Sequence, residues 1–189
     1  MMNNQNTSVV FQTERLLLQP MGPTQAEAVL EYLVRNRSFL WEWEPVKPDD
    51  FYTVEYQAAQ LGKELDMMER GLLLKWWISK KEDPGSVIGM IGFSNIVRGA
   101  FLSCHLGYRL DELEINQGYI TEALRKGIEV VFGQYGLHRI EANIMPRNGR
   151  SMRVVEKLGF TEEGLAKKYL KINGVWEDHI HMVLFNDAV

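Results

Sequence analysis

Residues 113–124 read Leu-Glu-Ile-Asn-Gln-Gly-Tyr-Ile-Thr-Glu-Ala-Leu and carry the clearest chemical signal in the chain. A strand-like stretch over residues 103–110 runs into a short turn containing Asn116 and Gly118, two residue types that tolerate left-handed backbone angles. A helix with an apolar stripe begins at once. The first turn of a helix offers several unpaired backbone N–H groups to one point in space, and the helix dipole adds positive potential there. Residues 115–121 are therefore a candidate phosphate cradle that needs no lysine. They also suit an ordinary strand-to-helix connection, because glycine and asparagine are common in any turn.

Other reactive side chains are scattered. Cys104 and His105 are neighbours on a strand pattern, so they point to opposite faces and make no nucleophilic dyad. Glu141 shares a strand face with Arg139 and Asn143; an ion pair is one role for it and proton transfer another. Glu163 and Asp178 fall near turns, where they are solvated or hold a cationic amine.

The elements that must position these groups follow from periodicity. Residues 15–20, 72–79, 86–96, 102–110, 138–144, 161–172 and 175–185 read as strands. Asp83-Pro-Gly reads as a turn, and Asn173-Gly174 is a strong hairpin signal. Residues 23–34, 51–70 and 119–135 carry apolar positions at helical spacing. Asn148 caps a further helix that Gly159 stops. Residues 39–45, Phe-Leu-Trp-Glu-Trp-Glu-Pro, read as an aromatic loop.

Composition sets limits on function. The 189 residues suit one domain over residues 9–189, after a flexible polar tail at residues 1–8. A hydrophobic content of 46% is incompatible with general disorder. The formal charge of −4 argues against a general nucleic-acid binder, though a local acidic face can dock on a basic protein. The single cysteine permits no internal disulfide, and with no apolar run of membrane-spanning length the default setting is cytoplasmic. Nothing suggests a metal site, and either a monomer or a homodimer is compatible with the pattern.

Taken in order, several strings resemble the GNAT superfamily of acetyl-CoA-dependent N-acetyltransferases, and within it the RimJ/RimL-type ribosomal-protein enzymes, with RimJ the nearer branch. The strings are Thr13-Glu-Arg-Leu-Leu-Leu18, Ile88-Gly-Met-Ile-Gly-Phe93, Leu106-Gly-Tyr108, Gly118-Tyr-Ile-Thr-Glu-Ala123, His138-Arg-Ile-Glu-Ala142, Asn148-Gly-Arg-Ser151, Lys157-Leu-Gly-Phe160 and Gly174-Val-Trp-Glu-Asp-His179. Trp43-Glu-Pro45 and Asn36-Arg-Ser-Phe-Leu40 point towards RimJ. The resemblance covers residues 13–185. It implies an α+β GNAT fold: a mixed, strongly twisted, seven-stranded sheet flanked by helices. It also implies acetyl-CoA as donor, held by Tyr108, Arg109, Leu110, Ile115, Asn116, Gln117, Gly118, Tyr119, Ile120, Thr121, Asn148 and Ser151. The family's phosphate loop has the form Gln/Arg-x-x-Gly-x-Gly/Ala, and here those positions are Leu113, Asn116 and Gly118. Asparagine tolerates the left-handed conformation, so the loop is expected to keep its shape. Glu122 would repel a phosphate and is expected to point away.

The resemblance assigns Ser151 as proton donor to the departing thiolate; the alternative is a serine that only supports a helix start. Asn148 would bond the pantetheine arm, cap the helix, or do both. His105 occupies a position where the family often has glutamate, so it and Glu141 are the candidate bases. An α-amine acceptor asks little of a base: its pKa is about 7.7–8.0, against about 10.4 for lysine, so roughly a tenth is already neutral at pH 7. Trp41, Trp43 and Glu44 are expected to wall a groove for a protein N-terminus, with Trp176 closing the other side. The expected acceptor is a ribosomal protein. A small amine, or a non-catalytic ribosome-assembly role, is the alternative.

Overall fold

The structure is a computed structural model that describes residues 9–189, so the tail expected at residues 1–8 lies outside it. In chain order the elements are β1 (Phe11–Gln12), β2 (Leu16–Gln19), α1 (Ala26–Arg35), α2 (Arg37–Trp41), α3 (Val54–Glu69), β3 (Leu74–Lys80), β4 (Asp83–Val97), β5 (Ser103–Leu110), α4 (Tyr119–Gly133), β6 (Arg139–Ile144), α5 (Gly149–Lys157), β7 (Thr161–Ile172) and β8 (Val175–Phe185). Among the described residues they form one eight-stranded sheet in the order β1-β2-β3-β4-β5-β6-β8-β7. The strand beyond the expected seven is β1, whose two residues pair with β2 and are too few to carry a periodic signal.

The expected turn at Asp83 to Gly85 is corrected. Lys80 pairs with Asp83, so the turn is Lys81-Glu82, and Pro84 and Gly85 fall in an irregularity at the start of β4. Pro lacks a ladder donor, and such a bulge is where a strand tolerates it. The aromatic loop is also shorter than expected. The helix α2 takes residues 37–41, and the buried Asn36 ahead of it anchors the segment, its side chain bonding Asp111 Oδ2 and the Glu112 N–H.

Helices cover both faces of the sheet, which explains why six of the seven residues in β3 are buried. On one face Leu74, Trp76 and Ile78 join Ile91, Phe93 and Cys104 under α4 and α5; on the other Trp77 and Val87 pack with Val29, Tyr32 and Leu61 of α1 and α3. The helix α4 lies very close to the sheet. A Cβ at Gly127 would stand 2.7 Å from Ile91 Cδ1 and 3.0 Å from the Phe93 ring. No residue larger than glycine enters that contact without a shift.

The feature that makes a site is a break in the sheet. The strands β5 and β6 are the parallel pair, and their register runs only from Ser103↔Arg139 to Leu106↔Ala142. Beyond it, β5 continues to Leu110 along β4 while β6 continues to Ile144 along β8. The two halves diverge, leaving an edge of backbone polar groups at Gly107–Leu110 turned to a gap rather than to a partner strand.

Candidate active site

Two cavities open at this gap. The larger, about 900 Å³, is bounded by the end of β5, the turn at residues 115–118, the start of α4 and one side of α5. The smaller, about 360 Å³, lies toward residues 43–47, β6 and β8. They share Trp43, Glu44, Tyr108, Arg109, Asn148 and Ser151, so the two cavities adjoin across these side chains.

The phosphate-type turn has the expected shape. Asn116 is left-handed (φ 62°) and Gly118 is left-handed (φ 83°) as N-cap of α4, with no side-chain cap bond. The first N–H groups of α4 therefore stay available beside the larger cavity. Glu122 turns away: its carboxylate bonds the Thr13 hydroxyl, the Arg15 N–H and the Arg15 guanidinium. Burial alone would raise its pKa, but these donors hold it below the usual carboxylate range. Leu113, at the altered motif position, is 77% exposed and lines neither cavity. Tyr119 lies beneath the Arg15 guanidinium, 4.4 Å from its ring centroid, and its side chain does not line the larger cavity; the other expected cofactor residues all do.

The helix α5 adds positive charge to the larger cavity. Arg150, Arg153 and Lys157 line the larger cavity and form no ion pair among the described residues. Arg147 also lines this cavity, but its guanidinium is engaged by Glu42, by Glu177 at 3.1 Å and by the face of Trp43.

At the junction, Asn148 Oδ1 accepts the Ser151 N–H at 3.1 Å, capping α5 and fixing Ser151. The Tyr108 hydroxyl reaches across the gap to Ser151 Oγ at 2.6 Å and to the Ser151 carbonyl at 3.0 Å. Burial pushes the Tyr108 phenol up to about 12, so it stays neutral and keeps its proton. The side chain of Arg109 pairs with Glu44 at 2.5 Å, and Lys47 reaches the same carboxylate at 2.9 Å. Burial works to raise Glu44, but the two cations outweigh it and hold the carboxyl below its ordinary range.

The remaining candidates lie apart. His105 and Glu141 line neither cavity; His105 meets Glu141 at 3.6 Å, and Glu141 also pairs with Arg139 at 2.7 Å and His181 at 3.3 Å. Glu163 pairs with Arg139 at 2.7 Å rather than standing free in solvent. Cys104 is fully buried in the core, and burial pushes its thiol up to about 12. Trp41 and Trp176 are more than half exposed and line neither cavity. The Trp41 carbonyl accepts a bond from Asn173 at the β7–β8 hairpin, so the hairpin tip touches α2. The reading missed Lys47, Arg153, Lys157 and His179, all of which line a cavity. Among the described residues there is no cluster of His, Cys, Asp and Glu that could hold a metal ion, and no helix is long and apolar enough to cross a membrane.

A split sheet with a bare helix start on one side and a chamber lined by ionisable groups on the other suits an enzyme that holds a phosphate-bearing substrate beside a second one. A family profile described as an acetyltransferase (GNAT) domain matches residues 15–161, and the chain belongs to that family. It is 35% identical over 168 residues to the [ribosomal protein uS5]-alanine N-acetyltransferase of Escherichia coli strain K12, covering 89% of this chain and 86% of that one. The ribosomal-protein-S5-alanine acetyltransferase of Vibrio fischeri superposes with a TM-score of 0.90 at 36% identity, covering 95% and 98% of the two chains. RimJ of Mycobacterium smegmatis, solved in complex with CoA-disulfide, also gives 0.90, at 26% identity and coverage of 100% and 92%.

Proposed function

We propose that this enzyme transfers the acetyl group of acetyl-CoA to the N-terminal α-amine of a ribosomal protein. The observation that carries the reading is the pair of cavities meeting at Ser151, Tyr108 and Glu44. Each substrate then has its own entrance, and direct transfer needs no acyl-enzyme. The similarity to two uS5-directed enzymes supports the choice of acceptor. A cytoplasmic setting belongs to the same reading.

Acetyl-CoA supplies an acetyl group already activated as a thioester. The residues of this chain suit it: the bare amides at the start of α4 favour a diphosphate, and the free cations of α5 favour a further phosphate. Asn148 orients Ser151, and Ser151 Oγ, backed by the un-ionised Tyr108, delivers a proton to the leaving sulfur. The unpaired edge of β5 offers backbone N–H groups to developing negative charge. Glu44, anionic and facing the smaller cavity, draws a cationic N-terminus inward. Trp43 walls that cavity, while Trp41 and Trp176 are exposed and line neither cavity, so only Trp43 of the three enters this reading.

Incubation of the protein with labelled acetyl-CoA and a cell extract, followed by N-terminal peptide analysis, tests the reading. Label in a ribosomal-protein N-terminus is expected; label confined to small molecules would overturn the choice of acceptor.

A further inference from the structure

The smaller cavity needs a group that can take a proton from an incoming ammonium, and the two bases suggested by sequence do not reach it. His179 does. It is 3% exposed, belongs to β8 and lines the cavity together with Ser151 and Tyr108. Its Nδ1 lies 3.1 Å from the Glu177 carbonyl oxygen. A carbonyl only accepts, so Nδ1 carries the hydrogen and Nε2 keeps the lone pair. The Tyr169 ring of β7 packs tilted against the imidazole, with centroids 5.5 Å apart.

The other charged or titratable groups facing this chamber are poor acceptors. Arg109 and Lys47 are cations already engaged with Glu44, and Tyr108 keeps its proton. Glu44 is a carboxylate weakened as a base by those two cations. On the strand of His179, the Glu177 side chain is turned to Arg147, Asp178 accepts the Lys168 N–H, and His181 is paired with Glu141.

We propose that His179 Nε2 is the proton acceptor for the amine, an assignment that rests on the acetyltransferase reading above. A neutral imidazole that carries its hydrogen on Nδ1 has the Nε2 lone pair to offer as a general base. The protons balance. Nε2 takes one proton from the ammonium, and the freed lone pair forms the C–N bond as the C–S bond breaks. The sulfur takes the proton of Ser151 Oγ, and the second proton shed by nitrogen restores that hydroxyl. The imidazolium then releases its proton to solvent.

The test uses the full chain, acetyl-CoA and a short basic peptide with a free N-terminal alanine. In His179→Gln, kcat/KM at pH 7 is expected to fall about 100-fold. The midpoint of the acid limb is expected to move to the range of the amine itself, about 7.7–8.0. Free imidazole is expected to restore part of the activity of His179→Ala. Acetyl-CoA affinity by calorimetry and melting temperature should both stay close to wild type. An unchanged acid limb in H179Q, or a loss that imidazole does not rescue, overturns the assignment while leaving the enzyme reading intact. A wild-type chain that binds acetyl-CoA but acetylates no amine removes both.

Discussion

Replacing Glu44 by Gln tests the junction most directly. The carboxylate faces Arg109 and Lys47, and its side chain is 21% exposed while that of Arg109 is 18% exposed. Removing one partner of a fully buried ion pair costs about 3–5 kcal/mol, because the other charge stays desolvated and unpaired. The partial exposure here, and the Trp77 ring 5.9 Å from the Arg109 guanidinium, reduce that to about 2–3 kcal/mol. A chain of this size loses roughly 2–4 °C of melting temperature per kcal/mol, so E44Q should melt roughly 4–12 °C lower at pH 7. The pH dependence fixes the cause. Glu44 has a depressed carboxyl pKa in the folded state, so its stabilisation is fully present above the ordinary carboxylate range. It is lost only as pH falls through the lower folded value. The gap between wild type and E44Q should therefore be flat from neutral pH down to about pH 5 and close in stronger acid. Melting by circular dichroism at a series of pH values measures it. A gap below 2 °C, or one that does not close in acid, would falsify the claim that this largely shielded ion pair stabilises the fold.

Three further outcomes follow from the same geometry. Ser151→Ala should lower turnover about 10- to 100-fold with acetyl-CoA affinity within twofold, measured by steady-state kinetics and calorimetry; equal losses in both would make the serine merely structural. Asn116→Gly should leave acetyl-CoA affinity unchanged or modestly tighter, since glycine adopts the left-handed angle without strain and clears the cradle; a tenfold loss would show that the amide itself makes a needed contact. Gly127→Val should destabilise by about 2–3 kcal/mol, because the new side chain must enter the contact with Ile91 and Phe93; a thermal melt within 2 °C of wild type would mean that α4 moves off the sheet freely.

Local chemistry made much of this legible from sequence. The alternation of Arg139–Ile144 reappears as alternating partial and full burial, the Asn173-Gly174 turn joins β7 to β8, and Asn148 caps α5 as its type suggested. Asn116 adopts the left-handed angle expected of it. What escaped depends on distant partners. The helix α2 was hidden among aromatics and prolines, and the residue fixing it, Asn36, bonds to groups 75 and 76 positions away. His179 was visible only as the last letter of a motif, since its cavity is made by segments near residues 43–47 and 142–151 that no local pattern connects to it. The proton role expected of His105 came from a motif position where the family often has glutamate, and that of Glu141 from its strand face; neither says whether a cavity lies there.

The short parallel ladder explains why these groups coincide. If β5 and β6 stayed paired beyond Leu106 and Ala142, Gly107–Leu110 would spend the backbone groups on that side on a partner strand and the gap at which the cavities adjoin would close. Pairing stops after four register positions, and three consequences follow from that one event. An edge of polar backbone is exposed, the Tyr108 hydroxyl can cross to Ser151 on α5, and the chain leaving β5 enters the turn that starts α4. The two cavities and the Tyr108–Ser151 contact between them thus depend on one geometric variable, the divergence of two strands. A substitution that moved the end of β5 should therefore disturb binding of both substrates together, whereas changes at Glu44 or Asn116 should separate them.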